Sequence, residues 1–211
     1  MRLDTGKCTI ETDRYRGRGK EKVKKFKITF NSPVVLSFVF VSFAAMLINY
    51  ITRGGSNELL FMTYHSSLKS PMTYVRFFTH VLGHSGWEHY IGNMSYILLL
   101  GPMLEEKYGA AKILELIGIT ALVTGLINYI FFWNVALCGA SGVVFAFILL
   151  TSFTGFKEGE IPITFILVAL IFMGQQVYEG LFLQDNVSNL SHIIGGIVGA
   201  VIGYNLNKKS K

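Results

Sequence analysis

Ser141 lies in a Gly-Ala-Ser-Gly sequence at the start of an apolar stretch. A hydroxyl is a weak nucleophile that needs a neighbouring general base, and His192, near the start of another apolar stretch, is a candidate. A helix that begins near Ser141 offers backbone N–H groups and its positive dipole end to a developing oxyanion. No Asp or Glu is placed to join His192. The pattern therefore predicts a Ser-His dyad without a third, acidic member.

His89 and Asn93 are four residues apart, so both side chains lie on one face of a helix. Both can donate hydrogen bonds, and together with the Ser141 N–H they could form an oxyanion hole. Simpler interpretations stay open from spacing alone. Interhelical polar contacts explain His89, Asn93 and His192, and close packing of small residues explains Gly139, Ser141 and Gly142.

His192 is followed by Gly195, Gly199 and Gly203 at four-residue intervals. Such a small-xxx-small pattern lets one helix press its backbone onto a neighbour. His192 lies one turn before Gly195, hence on the same closely packed face. If the neighbour is the helix that carries Ser141, the two side chains come within hydrogen-bonding reach.

The 211 residues are 51% hydrophobic and only 15% charged, whereas soluble domains usually carry about 25% charged residues. Six apolar blocks predict an all-α membrane domain of six transmembrane helices. The blocks cover residues 33–51, 86–104, 112–133, 139–156, 162–178 and 189–206. The segment 52–87 is long for an unstructured loop, so it is predicted to be a folded first loop in the outer interface. The domain then spans 33–206, between a tail at 1–32 and a short tail at 207–211.

The net charge is +6, and ten of the nineteen Lys and Arg residues lie in the first thirty positions. A basic cytoplasmic tail that follows the positive-inside rule explains this better than nucleic-acid binding. With both termini inside, sixteen Lys and Arg fall on the inner side and three on the outer side. This orientation puts Ser141, His192, His89 and Asn93 at one depth, roughly 5–12 Å from the outer interface. It puts the two cysteines, Cys8 and Cys138, on opposite sides, where they cannot pair.

These motifs resemble those of the rhomboid intramembrane serine proteases. The sequence at 139–142 is similar to their Gly-x-Ser-Gly motif, and His89-x-x-x-Asn93 resembles their second-helix motif. His192 with Gly195 and Gly199 is similar to their sixth-helix motif. The segment from Arg76 to His84 resembles the first-loop sequence, and Glu105 resembles the acidic residue that closes the second helix.

The resemblance implies a six-helix bundle in the cell membrane, with a water-filled cavity that opens to the outer face. It implies Ser141 as nucleophile, His192 as general base, and an oxyanion hole at His89, Asn93, Gly139 and the Ser141 N–H. The fifth helix and residues 180–188 would form a lateral gate and cap. Substrates would be single-pass membrane proteins, and the resemblance implies no cofactor or metal. Phe145 stands where many bacterial members have a tyrosine that stacks on the catalytic histidine, so the ring is kept without its hydroxyl.

Three alternatives are a membrane zinc protease, a non-catalytic rhomboid-like binding protein and a transporter. His80 and His84 have the spacing of a zinc-binding helix, but the glutamate that should serve as base is absent, because position 81 is Val. The two histidines are more simply explained as loop residues that bond backbone groups. A non-catalytic rhomboid-like binding protein typically lacks the serine or the histidine, whereas this chain has both. A transporter often shows internal repeats, and none is found here.

Overall fold

A computed structural model describes residues 7–9, 27–154, 160–175, 177–178 and 186–208. In the amino-terminal region two three-residue strands, β1 (Lys7–Thr9) and β2 (Lys27–Thr29), pair antiparallel. The remaining regular structure in the described residues is helical. The predicted all-α class of the membrane domain is therefore confirmed.

The helices follow the apolar blocks of the sequence, except for α2, which lies in the first loop. They are α1 (Pro33–Ile51), α2 (Pro71–Thr79), α3 (Trp87–Tyr108), α4 (Ala110–Phe131), α5 (Ser141–Ser152), α6 (Ile163–Val168) and α7 (Asn186–Lys208). α1 begins at Pro33, because proline suits the first turn, where its missing N–H has no intrahelical partner. α3 and α4 are separated by Gly109 alone, whose φ of 84° lies in the left-handed region that glycine tolerates.

Three helical spans in the described residues are long and apolar enough to cross a membrane: Pro33–Ile51, Ala110–Phe131 and Asn189–Asn207. Two shorter apolar helices cover Ser141–Ser152 and Ile163–Met173. Many large apolar side chains on these helices are exposed, including Ile51 and Phe131, as expected where lipid replaces water. The count of six membrane crossings stays a prediction.

The first loop is folded, as predicted. It contains a short π-helix (Asn57–Phe61), then α2, and then a 3₁₀-helix (His80–Leu82). Arg76 on α2 is buried and donates from Nη1 to the Tyr64 hydroxyl (2.7 Å) and from Nη2 to Ser66 Oγ (2.8 Å). Its guanidinium also lies over the Tyr64 ring, 4.2 Å from the centroid. Arg76 thus holds the two halves of the loop together.

The described helices differ from the predicted blocks in several places. The fourth helix begins at Ser141 and not at Gly139, because Gly139 has a φ of 128° and donates its N–H to the His80 carbonyl. The fifth changes from α6 to a π-helix at Ala169–Met173. The sixth begins at Asn186, so residues 186–188 of the predicted cap loop are helical. Residues 180–185 of that loop lie outside the described residues.

α5 is the centre of the bundle. Eight of its twelve residues are buried, from Gly142 to Leu150, and it packs against α3, α4, α6 and α7. A helix that is apolar on all sides suits such a central position. Its first residue, Ser141, is therefore surrounded by neighbouring helices.

Candidate active site

The backbone before Ser141 is fixed by hydrogen bonds to the first loop. Leu137 exchanges two backbone hydrogen bonds with Thr63, with N···O distances of 2.8 and 2.9 Å. Two residues later, the Gly139 N–H donates to the His80 carbonyl at 2.9 Å. Ser141 then begins α5, where its own N–H has no partner within the helix. The chain thus enters α5 in a defined conformation with backbone donors available at the serine.

Glycines on α7 bring its backbone into direct contact with α5. A Cβ on Gly195 would collide with the backbone of Gly142, and one on Gly199 with the backbone of Ala146. The two helices therefore run parallel along this face. Near the amino-terminal end of α5, a Cβ on Gly142 would lie 3.5 Å from the Ser191 carbonyl oxygen. Gly142 and Ser191, which adjoin Ser141 and His192 in the sequence, are thus close in space, as the glycine spacing predicts.

The ring of Phe145 lies flat against the His192 imidazole. The ring centroids are 4.5 Å apart and the planes differ by 4°. Phe172, on the π-helix that follows α6, meets the edge of Phe145 at 6.2 Å and 81°. Phe145 therefore connects the imidazole to α5 and to the π-helix after α6.

His89 and Asn93 both approach Gly139. A Cβ at position 139 would lie 2.6 Å from His89 Cε1, 2.7 Å from His89 Nε2 and 3.8 Å from Asn93 Nδ2. Only glycine leaves room for this approach, and the φ of 128° there also favours glycine. Asn93 Nδ2 is buried and has no hydrogen-bond partner among the described residues. An unpaired buried donor is costly unless something else binds it.

The sequence did not indicate a role for Ser85. Its Oγ lies 3.1 Å from His89 Nδ1, so the other ring edge of His89 is the one that faces Gly139. The four-residue spacing from Ser85 to His89 was the one signal in the sequence that could have indicated this contact.

His80 and His84 do not share a helix face. His80 lies in the 3₁₀-helix, and Gly83, before His84, is extended. Both histidines are fully buried. His84 Nδ1 lies 3.2 Å from the Leu82 carbonyl, as predicted for a loop residue that bonds the backbone, whereas His80 Nε2 lies 3.3 Å from Thr124 Oγ1. The helix that a zinc site of this spacing needs is absent from residues 80–84, and no metal-binding cluster occurs among the described residues.

Burial lowers the pKa of His80 to about 3. Burial, with a smaller contribution from repulsion by His89, lowers the pKa of His84 to about 4 against the opposing backbone contact with Leu82. Both rings are therefore neutral near pH 7. Because a carbonyl can only accept, the His84 proton lies on Nδ1.

Glu105 closes the opposite end of the domain. Its two carboxylate oxygens accept from the backbone N–H groups of Val34 (3.0 Å) and Val35 (2.9 Å). These are donors in the first turn of α1, which have no partner within the helix. The sequence predicted a structural role for Glu105 but not this partner, because 70 residues separate it from Val35.

The rhomboid domain family matches residues 71–209. The chain is 26% identical over 156 residues to the rhomboid protease GlpG of Haemophilus influenzae, covering 72% of this chain and 80% of that protein. It is 31% identical over 159 residues to rhomboid-related protein 2 of Mus musculus, covering 65% of this chain and 52% of the relative. It is 24% identical over 182 residues to the rhomboid protease GlpG of Pectobacterium atrosepticum, covering 82% and 62%.

The chain thus spans four-fifths of the Haemophilus protein but only about half to three-fifths of the other two. The family match covers well over half of the chain and includes Arg76, His89, Asn93, Ser141 and His192. The chain belongs to the rhomboid family.

Proposed function

We propose that this protein is an intramembrane serine protease that cleaves transmembrane segments of other membrane proteins. Ser141 is the nucleophile and His192 the general base. His89, Asn93 and the Ser141 N–H are the oxyanion donors, grouped around Gly139. The contact between α5 and α7, with Phe145 stacked on His192, is the observation that best supports this proposal.

The reaction follows from these roles. Ser141 Oγ attacks the scissile carbonyl carbon while its proton passes to His192. The carbonyl oxygen becomes an oxyanion, which the donors at His89, Asn93 and the start of α5 stabilise. The C–N bond breaks as His192 returns the proton to the leaving amine. Water then attacks the acyl ester, again with His192 as base, and frees Ser141.

The unpaired amide of Asn93 supports the oxyanion assignment. Asn93 is 7% exposed and its Nδ2 has no partner among the described residues. A donor that is buried, unpaired and aimed at the backbone before the nucleophile suits a ligand that exists only during the reaction.

In this proposal the domain at 33–206 crosses the cell membrane six times, with both termini cytoplasmic and the site open to the outer face. The tails are 1–32 and 207–211. Substrates are single-pass proteins with helix-destabilising residues near the cut, because a peptide bond in a stable helix is inaccessible to the serine. α6 with the segment after it is the lateral gate and cap.

The test is labelling by a fluorophosphonate, together with cleavage of a model transmembrane substrate in detergent. We expect the wild type to be labelled and active. Ser141→Ala and His192→Ala should lose at least about a thousandfold in cleavage rate, and Ser141→Ala and His192→Phe should not be labelled. Ser152→Ala is the matched control, since this serine lies on the same helix and bonds only the Ile148 carbonyl among the described residues.

Full activity in Ser141→Ala or His192→Ala would refute the mechanism. A folded wild type that is neither labelled nor active would instead favour a non-catalytic rhomboid-like binding protein.

A further inference from the structure

Ser85 stands two residues before Trp87, the first residue of α3, and it does not cap the helix. The N-cap position is Gly86, which has an extended backbone, and no side chain caps α3 there. The Ser85 hydroxyl instead lies 3.1 Å from His89 Nδ1. Among the described residues, the Ser85 hydroxyl is the one group that forms a hydrogen bond with the His89 ring.

The partner of Nδ1 decides what the other ring nitrogen can do. A neutral imidazole carries one proton, so one nitrogen donates and the other accepts. If Ser85 accepted from Nδ1, then Nε2 would be a bare acceptor and would repel an oxyanion. If Ser85 donates to Nδ1, the proton lies on Nε2, at the ring edge that faces Gly139.

The other neighbouring ring cannot take over this task. The His84 ring meets His89 edge-on, with centroids 5.1 Å apart and planes at 70°. Because Nδ1 of His84 faces the Leu82 carbonyl, its proton lies there and its Nε2 can only accept. His84 therefore cannot donate from Nε2 to His89.

We propose that Ser85 is a positioning residue for His89: its hydroxyl donates to Nδ1 and keeps the ring proton on Nε2, where it serves the oxyanion hole. This inference rests on the proposed function. Ser85 does not touch the substrate and acts only through His89. Its loss should therefore weaken transition-state stabilisation and leave substrate binding unchanged.

The experiment measures kcat and KM for cleavage of a transmembrane substrate by the full chain in detergent. Ser85→Ala should lower kcat by about 3- to 10-fold, the size expected for one neutral hydrogen bond, with KM unchanged. Ser85→Thr keeps the hydroxyl and should restore kcat. Ser95→Ala is the matched control, because Ser95 is an exposed serine on α3 whose Oγ bonds only the Ile91 carbonyl among the described residues.

The decisive comparison repeats Ser85→Ala in a His89→Ala background. If Ser85 acts through His89, the substitution should have no further effect there. An equal loss of kcat in both backgrounds, or a rise in KM alone, would overturn the proposal. An unchanged kcat in Ser85→Ala beside an inactive Ser141→Ala would also overturn it, while leaving the proposed protease function intact. Activity in Ser141→Ala would instead overturn the proposed function, and the role of Ser85 with it.

Discussion

Phe145 covers one face of the His192 imidazole, with centroids 4.5 Å apart and planes within 4°. The two residues belong to helices far apart in the sequence, and the contact exists because the glycines of α7 let it approach α5. Flat stacking restricts rotation of the imidazole and excludes water from one of its faces. The ring alone provides this restriction, without the hydroxyl that a tyrosine would add.

We expect Phe145→Tyr to retain near wild-type cleavage, because the stacked ring is kept. Phe145→Ala should lower the cleavage rate by about 3- to 10-fold, since an aromatic pair of this kind is worth roughly 0.5–1.5 kcal/mol. Initial rates and fluorophosphonate labelling rates measure both effects. Phe40→Ala is the control, because Phe40 is 60% exposed on α1. Equal rates for Phe145→Ala and wild type would show that the stacking does not position His192.

The close contact between α5 and α7 predicts that alanine is destabilising at Gly195 but tolerated at a glycine with free space around it. Gly195→Ala places a Cβ against the Gly142 backbone, so we expect a loss of about 1–3 kcal/mol from overpacking and a lower thermal unfolding midpoint. Gly118→Ala on α4 meets nothing within 4 Å. It should leave the midpoint unchanged or raise it, because alanine is the better helix former. A harmless Gly195→Ala would contradict the described helix contact.

The contact between Glu105 and the start of α1 predicts a graded loss of stability in a series of variants. Glu105→Ala leaves the N–H groups of Val34 and Val35 without their acceptors, and we expect a loss of roughly 3 kcal/mol in the free energy of unfolding. Glu105→Gln keeps one acceptor oxygen and should lose about half as much. Glu106→Ala is the matched control, because Glu106 is the exposed neighbour. Titration with SDS, followed by circular dichroism, measures the series. The same stability in all three variants would rule out the capping role.

His84, one of the two buried histidines of the first loop, predicts acid sensitivity. The pKa of His84 is lowered from 6.5 to about 4 in the folded protein. As the pH falls, the unfolded chain therefore binds a proton on this ring before the folded chain does. Stability from the neutral ring is present above pH 6.5 and is lost as the pH falls towards 4, by at most about 1.4 kcal/mol per pH unit.

We therefore expect His84→Gln to reduce the fall in unfolding free energy between pH 6.5 and 4. The matched control is His65→Gln, at an exposed histidine, which should leave this fall unchanged. Unfolding midpoints across this range measure the slope. A slope that is identical in wild type and His84→Gln would contradict the neutral, buried state of the ring.

The sequence by itself determined the features that depend on neighbours along the chain. α1 covers the predicted residues 33–51 because a proline start and an apolar block are both local signals. The motifs around Ser141, His89 and His192 likewise identified the rhomboid family, and their residues lie where the described helices meet. Backbone hydrogen bonds in a helix join residues four apart, so such elements can be read from short stretches of sequence.

Only the tertiary structure decided the contacts between distant segments. The helix start at Ser141 follows from the hydrogen bond between Gly139 and His80, and α1 is capped from Glu105. The contact between Ser85 and His89 likewise appears only in the fold. These outcomes depend on which groups are brought together when apolar helices pack and buried polar groups find their partners.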